Sequence, residues 1–231
     1  MGERRRIVFW RHGRTDWNAA GRFQGQTDIP LNDDGVRQAK HAARLLAVMG
    51  PTAIVTSDLQ RTRATAEALA EETGLTVAVD SGLRETNAGR WQGQTFDEIR
   101  VSDGELLAQW EDGAVDVAAG GAETRLDVAA RTRAAVERAL TELGDSGTLV
   151  VVSHGGAIRV VLAELLGLPH SLWGALSGLS NCNWSVLEER RSGPAGSRGD
   201  APDGAPDRGA RWRLGEHNAG TLLVPVAVVE G

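Results

Sequence analysis

The run Ile7-Val8-Phe9-Trp10 is uniformly apolar and stops at a polar, glycine-containing turn, the pattern of a strand buried on both faces. From position 31 apolar residues recur at helical spacing as far as Met49, with Asn32 or Asp33 as N-cap and Gly50-Pro51 as the stop. Residues 53–56 then read as a strand, 58–73 as a helix closed by Gly74, and 75–79 as another strand. The alternation resumes downstream, with a helical pattern over 123–143, a β-branched strand over 148–153, and a helix over 158–166 ended by Gly167 and Pro169. Strand and helix in turn predict an α/β fold whose mostly parallel sheet is covered by helices in three α/β/α layers.

Two stretches break the alternation. Residues 85–121 are rich in Gly and Trp, with short helical patterns at 95–100 and 105–111, and read as an insertion able to cover a site. Residues 183–187 and 210–214 read as two strands joined by residues 190–209, a Gly/Pro/Ser/Asp/Arg stretch without periodicity. We expect a flexible loop insertion there within one domain spanning 1–231, and the chain has no internal repeat.

Composition narrows the function. Lys plus Arg is 25 against 31 for Asp plus Glu, a net charge of −6, which argues against a nucleic-acid-coating protein. No apolar run approaches the roughly 18 residues of a membrane span, and the apolar stretch behind the basic start is too short for a signal-peptide core. The expected location is therefore cytoplasmic, with neither nucleic acid nor membrane as partner. A single cysteine, Cys182, excludes an internal disulfide, and the single lysine, Lys40, lies on the polar side of a helical pattern, which disfavours a P-loop or Schiff-base enzyme.

The chemistry gathers at predicted strand ends, where open α/β sheets bind ligands. Arg11-His12-Gly13 follows the first strand, and Ser153-His154-Gly155-Gly156 follows the strand at 148–153. Two histidines in the same strand-His-Gly setting point to a site, with glycines permitting close backbone approach. Arg61 falls one turn into the helix after the strand at 53–56, where helix N-terminal amides would add to an anion pocket. Glu85 follows the strand at 75–79 and would bring a carboxylate to the same edge. Two His, two Arg and one Glu suit phosphoryl transfer through a phosphohistidine, with Arg11, Arg61 and a protonated His154 spreading the charge and no cofactor or metal required. The chain has no His-Glu-x-x-His, no Gly-x-Ser-x-Gly elbow, and Glu188 where a Cys-x5-Arg loop starting at Cys182 would need arginine. Trp91 and Trp110 read as core residues rather than ligand platforms.

Taken together, Arg11-His12-Gly13, residues 57–65, Leu83-Arg84-Glu85-Thr86, Gly89-Arg90-Trp91-Gln92-Gly93 and Ser153-His154-Gly155-Gly156 resemble the histidine phosphatase superfamily, with its phosphoglycerate-mutase-like fold, over about residues 7–214. The resemblance implies His12 as the phosphorylated nucleophile, Arg11, Arg61 and His154 as the phosphate pocket, Glu85 as the general acid, and Asn18, Gln24 and Gly155 as further substrate-binding positions. The segment from Gly21 to Leu31 fits the phosphatase branch better than the mutase branch. The expectation is a phosphomonoesterase acting on a small phosphate ester, with a homodimer as the assembly to test. A mutase that retains the phosphoryl group, a broad-specificity sugar phosphate phosphatase and a phospho-ligand-binding module are the alternatives.

Overall fold

Strands β1 (Arg5–Arg11), β2 (Ala53–Thr56), β3 (Val77–Val79) and β4 (Gly147–Ser153) run parallel in the spatial order β3-β2-β4-β1, and β5 (Trp184–Glu189) and β6 (Trp212–Ala219) extend the sheet antiparallel beyond β1. The structure is a computed structural model that describes residues 4–190 and 211–220. The loop insertion expected at 190–209 lies, Arg190 apart, outside the described residues. Alternation along β1 sets the layers. Ile7 and Phe9 pack with α5 (Arg125–Leu143) and α6 (Gly155–Leu165), while Val8 and Trp10 pack with α2 (Asp33–Val48) and α3 (Gln60–Thr73). All four side chains are fully buried, which is why this strand reads as a continuous apolar run instead of alternating. At about 1.5–3 kcal/mol for each such side chain, β1 is a well-anchored base for the residues that follow it.

The expected elements are present, with boundaries moved for identifiable reasons. Helix α3 begins at Gln60, not at 58, because the Asp58 carboxylate is taken by Arg84 (Oδ1–Nε 2.8 Å) and cannot cap; Asp28 instead accepts the Gln60 N–H at 2.8 Å. Helix α6 starts at Gly155, directly after His154, three residues earlier than its periodicity indicates. The two helical stretches expected within 95–111 form α4 (Phe96–Glu111), broken at Asp103 (φ −152°, ψ 34°), whose carboxylate accepts the Trp91 indole N–H at 2.7 Å. The short helix α1 (Asp16–Ala19), with its Thr15/Asn18 capping box, has no periodicity to announce it. The irregular segment forms its own small core of Ala88, Trp91, Ile99, Leu107 and Ala119 against Phe23 and Trp110.

Helix α2 seats on the turn after β1 through a glycine pair. A Cβ on Gly35 would overlap the backbone of Arg14, and one on Gly13 would overlap the carbonyl of Gly35. Ala at Gly35 would gain about 1 kcal/mol of helix propensity, but overpacking against backbone costs about 1–3 kcal/mol. Gly35→Ala is therefore expected to lower the denaturation midpoint and to reduce activity by shifting the turn that follows His12. Gly104→Ala, at a helical position with nothing within 4 Å of the added Cβ, is the control and leaves both unchanged or stability slightly raised. Urea melts of the two variants check this.

Candidate active site

The carboxyl ends of β1, β2 and β4 and the turn after β3 converge on a cavity of about 300 Å³ lined by Arg11, His12, Asn18, Gln24, Arg61 and Glu85, with Trp17, Phe23, Phe96 and Trp110 on its outer wall. A wider groove of about 820 Å³ is lined from α5, the end of α6 and the start of β6, but its arginines are already paired, Arg133 with Glu137 and Glu164 and Arg211 with Glu189, and its histidine, His170, stands edge-on to Trp173 away from the strand ends. Chemistry, not size, singles out the smaller cavity.

His12 is 2% exposed, and its Nδ1 lies 2.7 Å from the Gly13 carbonyl oxygen. A carbonyl only accepts, so Nδ1 carries the proton and Nε2 keeps a free lone pair. Burial, then the Arg61 and Arg11 charges, push the His12 imidazole well below its ordinary value, so it is neutral at neutral pH. His154 stands edge-on to His12, ring centroids 5.2 Å apart, and is fully buried. Its Nδ1 accepts from Arg61 Nε at 3.2 Å, which leaves the proton on Nε2, 3.1 Å from Ser57 Oγ. Burial and the same two arginines lower this imidazole as well. His154 thus stands beside His12 as the hydrogen-bond partner of Arg61 and is not on the cavity lining.

Arg61 is fully buried without a carboxylate against it. Its Nη1 donates to the Thr27 carbonyl and its Nη2 to the Gly25 carbonyl, each at 2.8 Å, and burial brings its pKa down to about 10. Arg11 donates from Nη1 to the Leu179 carbonyl, while its buried Nε has no partner among the described residues, and burial lowers its pKa too.

Glu85 reaches the site from a turn with no regular structure. Its Oε1 accepts the Thr86 and Ala157 N–H groups at 2.9 Å, and its Oε2 accepts the Gly156 N–H at 3.0 Å. The amides at the start of α6 thus hold Glu85, and the first amide of α3 holds Asp28, so these helix ends serve side chains of the chain instead of standing open for an anion. Of the two glycines after His154, Gly156 lines the cavity, where a Cβ would come within 2.7 Å of Glu85 Oε1; Gly155 packs over Arg11 and is not on the lining.

Asn18 and Gln24 both lie on the lining and share Thr15, whose hydroxyl is 3.1 Å from Asn18 Oδ1 and 3.0 Å from Gln24 Oε1. Asn181, not singled out in the sequence, donates from Nδ2 to both Asn18 Oδ1 (3.2 Å) and the His12 carbonyl (3.1 Å). That bond orients the Asn18 amide so that its NH₂ is the group left for a ligand. Trp91 is core, as expected, whereas Trp110 is on the cavity wall, 4.5 Å beneath the Arg125 guanidinium. Burial raises the Cys182 thiol to about 12, which leaves it inert. Among the described residues no three His, Cys, Asp or Glu side chains converge as a metal site, and no helix is long and apolar enough to cross a membrane.

Residues 7–198 match the family model for the histidine phosphatase superfamily (branch 1), and the chain belongs to that family of phosphatases. It is 40% identical over 223 residues to glucosyl-3-phosphoglycerate phosphatase of Mycolicibacterium vanbaalenii, covering 93% of this chain and 95% of that one. A probable phosphoglycerate mutase of Serratia proteamaculans is 36% identical over 186 residues, covering 80% and 86%. Mycobacterial glucosyl-3-phosphoglycerate phosphatase, solved in complex with VO3, superposes with a TM-score of 0.81 at 39% identity, over 94% of this chain and all of that one.

The lowered histidines tie stability to pH. In the window below about pH 6.5 the unfolded chain binds protons that the folded chain refuses, so stability falls with pH by up to about 1.4 kcal/mol per unit for each histidine. Asp58, lowered by its hydrogen bond to Arg84, titrates below this window. Between about pH 7 and pH 5, His154→Gln is expected to lose less stability than the parent, measured as the shift in urea midpoint.

Proposed function

We propose that this phosphatase is a cytoplasmic, single-domain enzyme that hydrolyses glucosyl-3-phosphoglycerate through a phosphohistidine on His12. The observation that carries the mechanism is the proton-free Nε2 of His12 on a cavity floor whose fixed charges are Arg11 and Arg61. Nε2 attacks phosphorus, the P–O bond to the leaving alkoxide breaks, and Glu85, entering the step in its acid form, delivers the proton that the alkoxide needs. Water then attacks the phosphohistidine, giving its proton to Glu85 and releasing phosphate. Arg11, Arg61 and the Asn18 amide bear on the non-bridging oxygens, where negative charge concentrates. Gln24, through Thr15, holds Asn18 in register, and His154 holds Arg61.

The sugar ester is favoured by the relatives named for it and by the wall of Trp17, Phe23, Phe96 and Trp110, which offers aromatic faces to the C–H surface of a sugar ring. A mutase would need a second anion site beside the first. The cavity arginine outside the floor, Arg22, already donates to the Gly93 carbonyl and pairs with Glu98, which disfavours that alternative.

Two outcomes are expected. In a phosphate-release screen the wild type should prefer glucosyl-3-phosphoglycerate to 3-phosphoglycerate, and base-quenched reactions with labelled substrate should leave label on the protein but none on His12→Ala. Label on that variant, or a residual rate above about a hundredth of wild type, removes His12 as nucleophile.

Glu85→Gln should lose about 10²–10⁴-fold on a sugar or glycerate phosphate and far less on an aryl phosphate, whose phenolate needs little protonation. Equal losses on both substrates would show damage to the pocket instead of loss of the proton donor.

A further inference from the structure

Glu85 sits in a stretch, residues 84–88, that belongs to no helix or strand, so no backbone ladder fixes it. Its carboxylate end is set by α6, but its backbone end is set by one side chain from α5. Arg131 Nη1 donates to the Gly82 carbonyl at 2.9 Å and to the Arg84 carbonyl at 2.6 Å, and Nη2 donates to the carbonyl of Glu85 itself at 2.7 Å. The remaining edge of the guanidinium is held by Glu123, with Nε–Oε1 at 2.8 Å and Nη2–Oε2 at 2.9 Å. Glu123 Oε2 also accepts the Asn87 N–H at 2.7 Å, so the pair grips the turn on both sides of Glu85. Among the described residues the only other side chain on the Glu85 carbonyl is Gln26, whose Nε2 donates at 3.1 Å.

We propose that Arg131, locked by Glu123, is the positioning residue for the proton donor: it has no contact with substrate, and it sets where the Glu85 carboxylate meets the leaving oxygen. The inference rests on the reading of Glu85 as that donor. A flat guanidinium can direct N–H groups to carbonyls along one edge and to a carboxylate along another; a lysine ammonium, a single point with three donors, cannot span them. Proton transfer is intolerant of displacement, and a shift of about 1 Å costs on the order of 10²-fold.

The test uses Arg131→Met, Arg131→Lys and Glu123→Gln in the full chain, each compared with Glu85→Gln on a glycerate-type phosphate ester and on an aryl phosphate. Arg131→Met is expected to lose about 10²-fold in kcat on the glycerate-type ester, with KM little changed, and only severalfold on the aryl ester. Arg131→Lys should rescue only part of that loss, and Glu123→Gln should show the same leaving-group dependence in smaller measure. The double variant Glu85→Gln/Arg131→Met should be no slower on the glycerate-type ester than Glu85→Gln alone, since there is no donor left to position. Equal losses on both esters, or losses that multiply in the double variant, would overturn the proposal and leave Arg131 a general brace of the fold. If Arg131→Met fails to fold, Glu123→Gln, which keeps the arginine, decides between the same outcomes. A Glu85→Gln variant blind to the leaving group would instead overturn the proton-donor reading itself, which separates the two failures.

Discussion

A guanidinium withdrawn from water without a carboxylate beside it sets the terms for the rest of this site. Removing an ion from solvent costs several kcal/mol even after relaxation, and Arg61 is compensated by hydrogen bonds to the carbonyls of Gly25 and Thr27 and the imidazole of His154, with Glu85 and Asp28 acting from further off. Each compensation constrains another part of the chain. The loop carrying those carbonyls must hold its shape, which requires Gly25 at φ +52°, where a Cβ would overlap Gln92. Gln92 in turn accepts the Gln26 N–H at 2.7 Å, so the irregular segment around Trp91 is coupled to the loop after β1.

With Arg11 alongside, the cavity holds two buried cations, faced by the carboxyl group of Glu85 and by two neutral histidines. The deficit of negative charge is what a phosphate ester supplies, and charge-assisted bonds to it are the strong kind. Burial first, and then the same two cations, keep the His12 imidazole unprotonated. Affinity for an anion and the free lone pair of the imidazole thus both draw on these arginines, so weakening either should disturb both.

The sequence discloses those parts of the site that follow directly from strand ends. His12 and His154 each succeed an apolar run and precede a glycine, and Arg61 comes within the first turn of a helix, so local pattern suffices. Positions set by long-range hydrogen bonds to backbone carbonyls leave no such trace: Arg131 is one arginine among many on a helix, and Asn181 lies in an unpatterned turn. The choice between Gly155 and Gly156 depends on where α6 begins, and periodicity marks the apolar face of a helix better than its first residue. Helix α3 shows the same limit, because Asp58 has the chemistry of a cap but a partner elsewhere in Arg84. Trp110 reaches the cavity wall from the part of α4 beyond Asp103, where the helix departs from helical dihedrals and the Asp103 carboxylate accepts the Trp91 indole N–H, and neither feature is marked in the local pattern.

The antiparallel edge of the sheet ties the chain at the pole opposite the cavity. Because β5 runs against β1, with Trp10 opposite Trp184 and Arg6 opposite Glu188, its last residues lie beside the first residues of β1, where Glu189 pairs with Arg5. The chain leaves this strand at Arg190 and re-enters the described structure at Arg211, and the Arg190 N–H donates to the Arg211 carbonyl at 2.8 Å. That gate stands about 20 Å, the length of β1, from His12. The described ends of that connection, Arg190 and Arg211, are thereby tied to each other at the pole of the sheet opposite His12, so a label or a cut placed at either residue starts from strand ends that carry none of the site's side chains.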